Sequence, residues 1–516
     1  MARTFPDIDG RTFDVIIIGG GINGTSSAQH LAAAGYSCLL VDQGDFGSGA
    51  SARSARMLHP GLRYFEARNP LAHFGLHPGR LKDALRGARE AMQSVSEHLK
   101  DAGERIWPYR MCFPVYKGDA FKSWHVSAGI KLLEWLGDGN VPFAYERIRS
   151  DYKAKIPFIE DLRDVSALEA IACYNEFKFD WPERFCIDMA LDAERNGAVV
   201  MNHCRARLGA RGSDGSWTVS LTNPNQPALE PAKVTGRLVA NMAGVWIDHV
   251  APPTEPVNRC IQATKGIHIA VEMPETYRGF GIASLNSLGE PYYVLPMHKN
   301  LYSIGVTETL FEGDPGQVTA SDEEIDFLIA ETNHLLPGRG LARKDVLWSW
   351  AGVRPLTYSA AAPKGSRARV LHDMEAKGFP GILALTGGPI MTHRSAGRLV
   401  RDAVAARLQP SGPQGEVNTA PFAFSESGNS PPFLEDEPDV RVADMEYAVT
   451  AEHARSLADV LFRRTGLAWR RVLSLEEVSR AAQIISPHLG WTPTEREDAV
   501  AAFMRLQTGT FRRPRE

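Results

Sequence analysis

The chain has 516 residues, enough for two or three domains, and its 44% hydrophobic and 23% charged residues are ordinary for a globular protein. A formal net charge of −4 argues against nucleic acid as the main partner, because there is no general basic excess to bind phosphates. No apolar run approaches the roughly 18 residues that span a bilayer, and the N-terminus lacks a signal-peptide core, so we expect a cytoplasmic protein. The six cysteines are dispersed and predict neither a metal site nor a disulfide framework.

The start of the chain, residues 13–42, predicts a βαβ unit. A short apolar, β-branched run is typical of a strand buried on both faces, and the Ala-rich segment after it is typical of a helix. Gly35 would end that helix in the left-handed conformation. The expected bounds are 14–18 for the strand, 22–34 for the helix and 37–41 for the second strand.

The turn inside this unit carries the spacing of a dinucleotide-binding motif. Gly19, Gly21 and Gly24 fit G-x-G-x-x-G, in which the glycines permit the tight turn, the approach of a pyrophosphate and close helix packing. Asp42, at the end of the second strand, can accept hydrogen bonds from a ribose. A glycine-rich turn without a ligand is the alternative, but the flanking strand, helix and carboxylate favour a dinucleotide site.

A segment rich in Gly, Ser and Arg follows at residues 44–66. Loops at the carboxyl ends of parallel strands are where such folds bind ligands, so we interpret it as part of the site rather than as a flexible turn. Its charged and aromatic side chains are Arg53, Arg56, His59, Arg63 and Tyr64.

Further along, helical spacing predicts a helix within 71–104, and residues 184–220 read as helix, Gly197 and strand. A strand at 238–241 runs into the small turn Ala243-Gly244. Residues 261–310 are rich in strands, with a hairpin at 292–306. A helix is expected from Ser321 to Leu336, with Glu324 completing a capping box.

The last third of the chain repeats the opening pattern and then changes character. Arg354 is expected at a strand end, and residues 382–408 read as strand, Gly387-Gly388 and helix, whose N-terminus could fix a bound cofactor. Residues 439–510 look almost wholly helical, with Pro487 and Pro493 marking breaks. The basic pairs Arg463-Arg464 and Arg470-Arg471 are interpreted as a solvated face with ion pairs, and contact with acidic lipid headgroups is the alternative.

Several motifs, in this order along the chain, resemble those of the FAD-dependent glycerol-3-phosphate dehydrogenases. They are GGGINGT, SGASARSARMLHPGLRYFE, TKGIHIAV, AGVRPL, TGGPIMTHR and the C-terminal YAVTAEHARSLADVLFRRT. The resemblance runs from about residue 13 to the C-terminus and is weakest between 105 and 180. It identifies the chain as a divergent member of that family.

The resemblance implies an α/β fold with three parts. They are a discontinuous Rossmann-like FAD-binding domain (1–104, 185–260 and 346–408), a substrate or cap domain with an inserted mixed β-sheet (105–184 and 261–345), and, after a linker (409–436), a C-terminal α-helical domain (437–516). The cofactor is expected to be FAD. Residues expected to contact it are Gly19, Gly21, Asn23, Gly24, Asp42, Ser51, Ala243, Gly244, Gly387 and Gly388.

The resemblance also implies hydride transfer from a secondary alcohol to flavin N5, with electrons passing to a quinone or to oxygen. His59 is the candidate base, since imidazole can accept a proton near neutral pH. The alternative is that His59 is a structural histidine in a turn. Arg63 and Arg354 match arginines that face the substrate in this family. Further candidates for substrate binding are Tyr64, Arg56, Thr392 and Arg369, with Arg367 as the alternative to Arg369.

The chain departs from the family at three positions. Pro60 replaces the first glycine of His-Gly-Gly-Leu-Arg-Tyr, Pro389 replaces a lysine expected to hold the substrate's phosphate, and Glu308 ends a changed Gly-Thr-Thr-Asp motif. Losing a cation beside a dianion weakens binding, since charge-assisted hydrogen bonds contribute roughly 1.5–3 kcal/mol each. These changes favour a related polyol phosphate, a phosphonate or a hydroxy acid over glycerol 3-phosphate itself.

Two other functions are compatible with the same motifs. One is a flavin-dependent amine oxidase or dehydrogenase, and the other is a non-catalytic flavin-binding sensor or scaffold. Retention of His59, Arg63 and Arg354 argues against loss of catalysis. The oligomeric state and a peripheral contact with the inner face of a membrane are left open by the sequence.

Overall fold

The structure is a computed structural model that describes residues 5–65, 78–119, 122–137, 139–422 and 429–512. Two large β-sheets and a C-terminal group of helices account for most of it. The helices are α1 Phe5–Ile8, α2 Ile22–Ala33, α3 Pro78–Asp101, α4 Ser123–Leu136, α5 Tyr152–Lys155, α6 Pro182–Arg195, α7 Ile247–Val250, α8 Asp322–Leu335, α9 His393–Ala405, α10 Val442–Thr450, α11 Leu475–Leu489 and α12 Pro493–Gly509.

The first sheet contains the predicted βαβ unit and has eight strands. They are β1 Thr12–Ile18, β2 Cys38–Val41, β6 Val199–Met201, β7 Arg205–Arg211, β8 Trp217–Thr222, β9 Ala232–Asn241, β17 Val370–Asp373 and β18 Ile382–Thr386. The order is β17-β18-β9-β1-β2-β6, with β8 on β9 and β7 on β8. Neighbours from β18 to β6 run parallel, so their carboxyl ends meet at one edge, where an α/β fold binds ligands.

The helix of the βαβ unit packs between two other helices. Helix α2 packs against α6 and α9, and nearly all of its residues are buried. Gly397 in α9 makes the crossing with α2 close, because an added Cβ would lie 2.6 Å from the hydroxyl of Ser26. The predicted strand, helix and second strand are thereby confirmed, and Gly35 has φ 89°, as expected for a left-handed helix end.

The second sheet has ten strands. They are β3 Ile106–Tyr116, β4 Glu146–Ile148, β5 Leu168–Phe179, β10 Ile261–Glu272, β11 Phe280–Leu285, β12 Pro291–His298, β13 Leu301–Gly305, β14 Thr309–Leu310, β15 Val346–Ser359 and β16 Ala362–Ser366. Its order is β16-β15-β10-β13-β12-β11-β3-β5-β4, with β14 on β10, and β12 and β13 form the predicted hairpin. Strands β15 and β16 lie in this sheet although the sequence-based division gives residues 346–408 to the FAD-binding domain. That division stays a prediction.

Two local predictions have clear outcomes. Ser321 and Glu324 form the expected reciprocal capping box at the start of α8. Arg354 is not at a strand end, as expected from Pro355, but inside the 14-residue strand β15. Pro355 is tolerated there because β16 pairs with β15 only at Thr357 and Ser359 among the described residues, so at Pro355 the strand is paired on one side only, by β10.

The C-terminal region consists of a small hairpin, β19 Pro432–Leu434 and β20 Glu437–Arg441, followed by helices α10, α11 and α12 and a π-helical turn at Asp459–Arg464. These elements share one apolar cluster that also contains Ala52, Trp348 and Trp350. Pro493 begins α12, as expected, but Pro487 lies inside the last turn of α11 and does not break it. Among the described residues, no helix is both long and apolar enough to cross a membrane.

Candidate functional site

A cavity of about 1880 Å³ opens at the carboxyl edge of the first sheet. Its walls come from the glycine turn after β1, from residues 42–59, from strands β10 and β15, and from the C-terminal helices. Most of the residues singled out in the sequence line this one cavity. They are Gly19, Gly21, Asn23, Asp42, Ser51, Arg56, His59, Tyr64, Ala243, Gly244, Arg354, Gly387 and Gly388.

The glycine turn is shaped by close backbone packing. Gly19 has φ 109°, and an added Cβ would lie 2.5 Å from the carbonyl oxygen of Met242. At Gly24 an added Cβ would lie 1.8 Å from the carbonyl oxygen of Gly19, which no side chain can relieve. Gly24 therefore packs the helix onto the turn and does not line the cavity, whereas Gly19 and Gly21 leave the wall open for a ligand.

Asp42 is held in one orientation beside this turn. Its Oδ2 accepts a hydrogen bond from the N–H of Gly20 at 2.6 Å, and its Oδ1 accepts one from the N–H of Gly44 at 2.8 Å. Burial raises the pKa of the Asp42 carboxyl, and these two N–H groups oppose that shift. The carboxylate sits in the cavity wall, where a ribose hydroxyl could donate to it.

The neighbouring walls complete a cradle with little side-chain bulk. The hydroxyl of Ser51 accepts a hydrogen bond from the N–H of Ile22 at 3.0 Å, which ties the loop after β2 to the first turn of α2. Gly244, Gly387 and Gly388 have φ values of 57°, 65° and 83°, so each turn depends on glycine. Together with Ala243, they line the cavity, and the Ala243-Gly244 turn lies beside the glycine turn, since a Cβ on Gly19 would lie 2.8 Å from Cα of Ala243.

His59 and Tyr64 lie together in the wall of the cavity. Their rings meet edge to face with centroids 5.7 Å apart. The His59 ring is half-buried, so it can both be held in place and reach the cavity. The side chain of Arg63, the other candidate from this motif, lies outside the described part of the structure.

Arg354 reaches the cavity across Gly266. Strand pairing sets Gly352 opposite Gly266, and a Cβ at Gly266 would lie 2.0 Å from Nη2 of Arg354. The guanidinium therefore lies over Gly266, where its Nη2 donates to the carbonyl oxygen of Thr307 at 3.1 Å. A glycine inside a strand often marks such a close approach, so Gly266 was a signal in the sequence for Arg354; Gly352 marks another, since a Cβ there would lie 2.9 Å from Cβ of Arg53.

A second arginine in this wall forms an ion pair with the altered acidic residue. Nη2 of Arg367 lies 2.5 Å from Oε2 of Glu308, and both side chains line the cavity. The N–H of Gly388 donates to the carbonyl oxygen of Arg367 at 3.0 Å. Of the two arginines considered at this position, Arg367 is thus the one in the cavity wall.

Arg369 and Thr392 are directed elsewhere. Nη1 of Arg369 donates to the hydroxyl of Ser395 at 2.9 Å, and Nη2 pairs with Glu90, so its guanidinium is bound to α9 and α3. The Thr392 hydroxyl donates to the carbonyl oxygen of Pro389 at 2.8 Å and is buried. Neither residue lines the cavity.

The other two arginines of the segment after β2 are buried in the wall. Nη1 of Arg53 donates to the carbonyl oxygen of Ala351 at 3.1 Å, and burial lowers the pKa of Arg53 to about 10. Nη1 of Arg56 donates to the carbonyl oxygen of Asp180 at 2.8 Å, and its guanidinium lies 4.3 Å from the centre of the Trp469 ring. Each arginine is thus already hydrogen-bonded to a carbonyl oxygen from another part of the chain.

Two sets of cavity residues were missed by sequence reasoning. His268 on β10 lines the cavity and stacks on Trp350 with ring centroids 5.0 Å apart. Its only sequence signal was its place two residues after Gly266. The C-terminal residues Phe462, Trp469, Leu506 and Phe511 also line the cavity, and nothing local in their sequence indicates it.

The basic pair Arg463-Arg464 is not the solvated face that was predicted. Nε of Arg463 and Nη2 of Arg464 donate to the carboxylate of Asp45 at 2.6 and 3.0 Å, and both guanidiniums are buried or nearly so. The expected ion pairs are present, but they join the C-terminal region to the loop after β2 instead of facing water. Arg470 and Arg471 also form ion pairs, with Asp439 and Asp436 among their partners.

Asp45 belongs to a set of three potential metal ligands with His203 and Asp459. Nε2 of His203 lies 2.9 Å from Oδ2 of Asp459, and Arg463 bridges the two carboxylates. Positively charged side chains thus already occupy the positions a cation would take. This set is a charge network and carries no metal assignment.

Comparison with known proteins places these features in a family. The family described as "FAD dependent oxidoreductase" matches residues 14–403, and "C-terminal domain of alpha-glycerophosphate oxidase" matches residues 422–496. Glycerol-3-phosphate dehydrogenase of Synechocystis sp. is 29% identical over 95% of both chains. D-erythritol 1-phosphate dehydrogenase of Brucella abortus is 29% identical, covering 74% of this chain and 72% of its own.

The fold agrees with this assignment. The FAD-complexed glycerol-3-phosphate dehydrogenase of Bacillus halodurans superposes with a TM-score of 0.73 at 17% identity, covering 99% of this chain and 98% of its own. The chain therefore belongs to the family of FAD-dependent oxidoreductases, and its cofactor is FAD. Within it, the relatives and the C-terminal match group the chain with the glycerol-3-phosphate dehydrogenases, which confirms the family and the α/β fold predicted from the motifs. The glycine turn that an added Cβ would fill and the fixed Asp42 carboxylate fit that cofactor.

Proposed function

We propose that this protein is an FAD-dependent dehydrogenase or oxidase that oxidises the secondary alcohol of a small polyol phosphate. The observation that carries the proposal is that one cavity joins the dinucleotide cradle to His59, Arg354 and Arg367. Sites for a cofactor, a base and cations that can bind an anionic substrate thus lie in one cavity, as this reaction requires.

The cofactor end is assigned to backbone and small side chains. Gly19, Gly21 and Asn23 would hold the pyrophosphate at the start of α2, where N–H groups and the helix dipole favour negative charge. Asp42 would accept the ribose hydroxyls. The turns at Ala243-Gly244 and Gly387-Gly388, with Ser51, would enclose the rest of FAD.

At the other end, His59 would act as the base that removes the proton of the substrate hydroxyl. The imidazole is half-buried and packed on Tyr64, so it is oriented toward the cavity before substrate arrives. When bound, FAD supplies the two-electron acceptor for the hydride that leaves the same carbon. The products are the ketone, reduced cofactor and a protonated His59, which returns its proton to solvent.

The anionic group of the substrate would be bound by arginines in place of the family's lysine. Arg354 lies over Gly266 in the cavity wall, and Arg367 is held there by Glu308. Two guanidiniums can each bind a phosphate through two N–H groups, which compensates for the proline at position 389. Arg63 is assigned the same role from its motif, and His268 could orient the substrate hydroxyls from β10.

Anaerobic mixing with candidate substrates tests the proposal. We expect glycerol 3-phosphate or erythritol phosphate to bleach the flavin absorbance much faster than free glycerol or erythritol does at the same concentration. Bleaching by a hydroxy acid instead would support oxidation of an alcohol but show that the anionic group of the substrate is a carboxylate and not a phosphate.

The two alternative functions give different results in the same experiment. An amine oxidase would be bleached by small amino acids or secondary amines and would release ammonia or another amine. A non-catalytic flavin sensor would bind ligands without bleaching. Formation of hydrogen peroxide during turnover would identify oxygen as the electron acceptor, and reduction of an added quinone would identify a quinone.

A quinone acceptor is dissolved in a membrane, and one surface of the molecule favours peripheral contact with one. Helix α4 presents Trp124, Ala128, Lys131 and Trp135 on one face at helical spacing, and the two tryptophans are 50% and 74% exposed. Exposed tryptophans beside a lysine are typical of a surface that enters the headgroup layer of an anionic bilayer.

Sedimentation with vesicles tests this surface. Wild-type protein should bind phosphatidylglycerol vesicles more tightly than phosphatidylcholine vesicles, and the double change Trp124→Ser, Trp135→Ser should abolish binding. Leu288→Ser is the matched control, because Leu288 is 70% exposed but lies elsewhere. Equal binding of all three proteins would remove α4 from the proposal.

A further inference from the structure

The C-terminal helical region covers the loop after β2 along its length. Asp45 pairs with Arg463 and Arg464, and Ala52 packs in the same apolar cluster as the C-terminal helices. Further along, the Arg53 guanidinium lies 5.8 Å from the centre of the Phe511 ring. The inner side of this loop lines the cofactor cavity, and the C-terminal residues Phe462, Trp469 and Phe511 line it as well, so the C-terminal region both supports the loop and reaches the site.

Arg56 is the residue of this loop with unused hydrogen-bonding capacity. It is 7% exposed and lines the cavity, but its Nε and Nη2 have no hydrogen-bond partner within the described parts of the chain. Its backbone has φ 60°, an uncommon conformation for a side chain of this size. A buried guanidinium with unpaired N–H groups is costly unless a ligand supplies acceptors.

The position of that guanidinium is set by Trp469. The indole lies under the guanidinium at 4.3 Å, and it is itself fixed because its Nε1 donates to Oε1 of Glu183 at 2.7 Å. Its ring also contacts Trp350 and Phe511 edge to face. Nη1 is held by the Asp180 carbonyl and one face is covered by the indole, which leaves the edge with Nε and Nη2. These two atoms are closed to water here and have no hydrogen-bond partner among the described residues, so a ligand reaches them after a small shift of the surrounding side chains.

Glu183 shows that this recess is polar on its other side too. It is fully buried and lines the cavity, and its Oε2 has no hydrogen-bond partner in the described residues. Glu183 makes no hydrogen bond to Arg56 among the described residues, but the two charges are close enough to interact, because Arg56 opposes the rise in the pKa of Glu183 that burial causes. The recess therefore has donors available for an anion, with an acceptor nearby for a hydroxyl or a water.

We propose that Arg56 binds an anionic oxygen of what fills the cavity, and that Trp469 is a positioning residue that holds Arg56 for this contact. The anion comes either from FAD or from the substrate. If FAD supplies the anion, the proposal is independent of the polyol phosphate assignment. If the substrate supplies it, the proposal rests on the proposed function. In either case the C-terminal region completes the site rather than only covering it.

Two titrations distinguish the sources, and neither requires turnover. The first measures FAD binding to the apoprotein by flavin fluorescence, and the second measures binding of inorganic phosphate to the FAD-loaded enzyme by calorimetry. The proteins are wild type, Arg56→Met, Arg56→Lys, Trp469→Leu and Trp469→Phe. Phe503→Leu is the control, because Phe503 is buried in the same apolar cluster but does not line the cavity.

Arg56→Met should weaken one of the two affinities by about 10-fold to 100-fold, the loss expected for a charge-assisted hydrogen bond. Weaker FAD binding identifies the cofactor as the source, and weaker phosphate binding identifies the substrate. Arg56→Lys and Trp469→Phe should each lose less than Arg56→Met and Trp469→Leu. Phe503→Leu should leave both affinities unchanged.

The double variant Arg56→Met, Trp469→Leu tests whether Trp469 acts through Arg56. It should bind no more weakly than Arg56→Met alone, because the two changes remove the same interaction. Additive losses would show that Trp469 has a separate structural role. Unchanged FAD and phosphate affinities in Arg56→Met would overturn the proposal, even if polyol phosphates bleach the flavin as proposed above.

Discussion

The two ends of the cavity are built in different ways. The cofactor end is formed by backbone: glycines at turns, a helix N-terminus and one carboxylate held by two N–H groups. The substrate end is formed by long charged side chains, each held by a partner from a distant part of the chain, such as Arg367 by Glu308. The cofactor end therefore depends on glycines that leave space for a ligand. The substrate end depends on ion pairs and hydrogen bonds between its charged side chains.

This difference gives the two ends different tolerances. A Cβ added at the glycine turn meets backbone atoms that cannot move, so the cofactor end should fail abruptly. A changed charge at the substrate end should leave the fold intact and alter the affinity for substrate gradually, by an amount that depends on the interaction lost.

Gly24→Ala should leave the protein without FAD. The new methyl would lie 1.8 Å from the carbonyl oxygen of Gly19, so the helix and the turn must separate. The measurement is the flavin-to-protein ratio after purification. Gly509→Ala, where a Cβ meets nothing within 4 Å, is the control and should keep a full complement of FAD. A fully loaded Gly24→Ala protein would show that the cofactor end is not limited by backbone packing.

His59→Asn should lower the rate of anaerobic flavin reduction by about 100-fold to 10,000-fold, the usual contribution of a general base. FAD content should be unchanged, because His59 lies at the substrate end of the cavity. Rapid-mixing absorbance with the substrate found in the screen measures this rate. A fall of less than a few-fold would support the structural reading of His59 and remove it as the base.

The charges that attach the C-terminal region should make its stability depend on pH. Glu437 is buried, which opposes ionisation, but hydrogen bonds from His298, Lys299 and Arg470 outweigh this and lower its pKa from 4.5 to about 2. A carboxyl with a lowered pKa stabilises the fold above its unfolded pKa, and that stability is lost as pH falls from about 4.5 toward 2.

The contribution of Glu437 is at most about 3 kcal/mol, from 1.36 kcal/mol per pKa unit. Glu437→Gln should therefore unfold at lower denaturant concentration at pH 6, and the difference from wild type should shrink as the pH is lowered from 5 toward 3. Denaturant unfolding followed by tryptophan fluorescence measures this. A difference that stays constant with pH would contradict the assignment to Glu437.

Glu308→Gln should have the smallest effect, a change of a few-fold in KM, since the pair with Arg367 is partly exposed to water. Because the substitution releases Arg367 from its partner, KM for an anionic substrate should fall, and kcat should change little. The effect should be weaker at high salt. An increase in KM would instead mean that Glu308 orients Arg367 for binding.

The same contrast explains what the sequence could predict. The glycine turn, Asp42, the capping box at Ser321 and the β12–β13 hairpin depend on residues close together in the chain, and local rules were sufficient for them. The placement of Arg354 depends on the register of β10 against β15, which sets Gly266 opposite Gly352. The sequence shows a glycine inside each of these two strands, but it does not show that the two glycines lie opposite each other in the sheet.

Burial of charge was the harder problem. Arg463 and Arg464 read as a solvated face because their partner, Asp45, is more than 400 residues away in the sequence. Similarly, Arg369 and Arg367 are two residues apart, and only the fold shows that Arg369 is bound to Glu90 and Ser395 while Arg367 lines the cavity. Long-range ion pairs leave no local pattern.

The central claim is that arginines at the substrate end bind a phosphate while the backbone end holds FAD. Anaerobic flavin reduction by erythritol phosphate and by free erythritol, in wild type and in Arg354→Met, tests it most directly. Arg354→Met should slow reduction by subsaturating phosphorylated substrate about 10-fold to 100-fold and leave the slow reaction with free erythritol unchanged. Equal losses with both substrates, or reduction by amines alone, would contradict it.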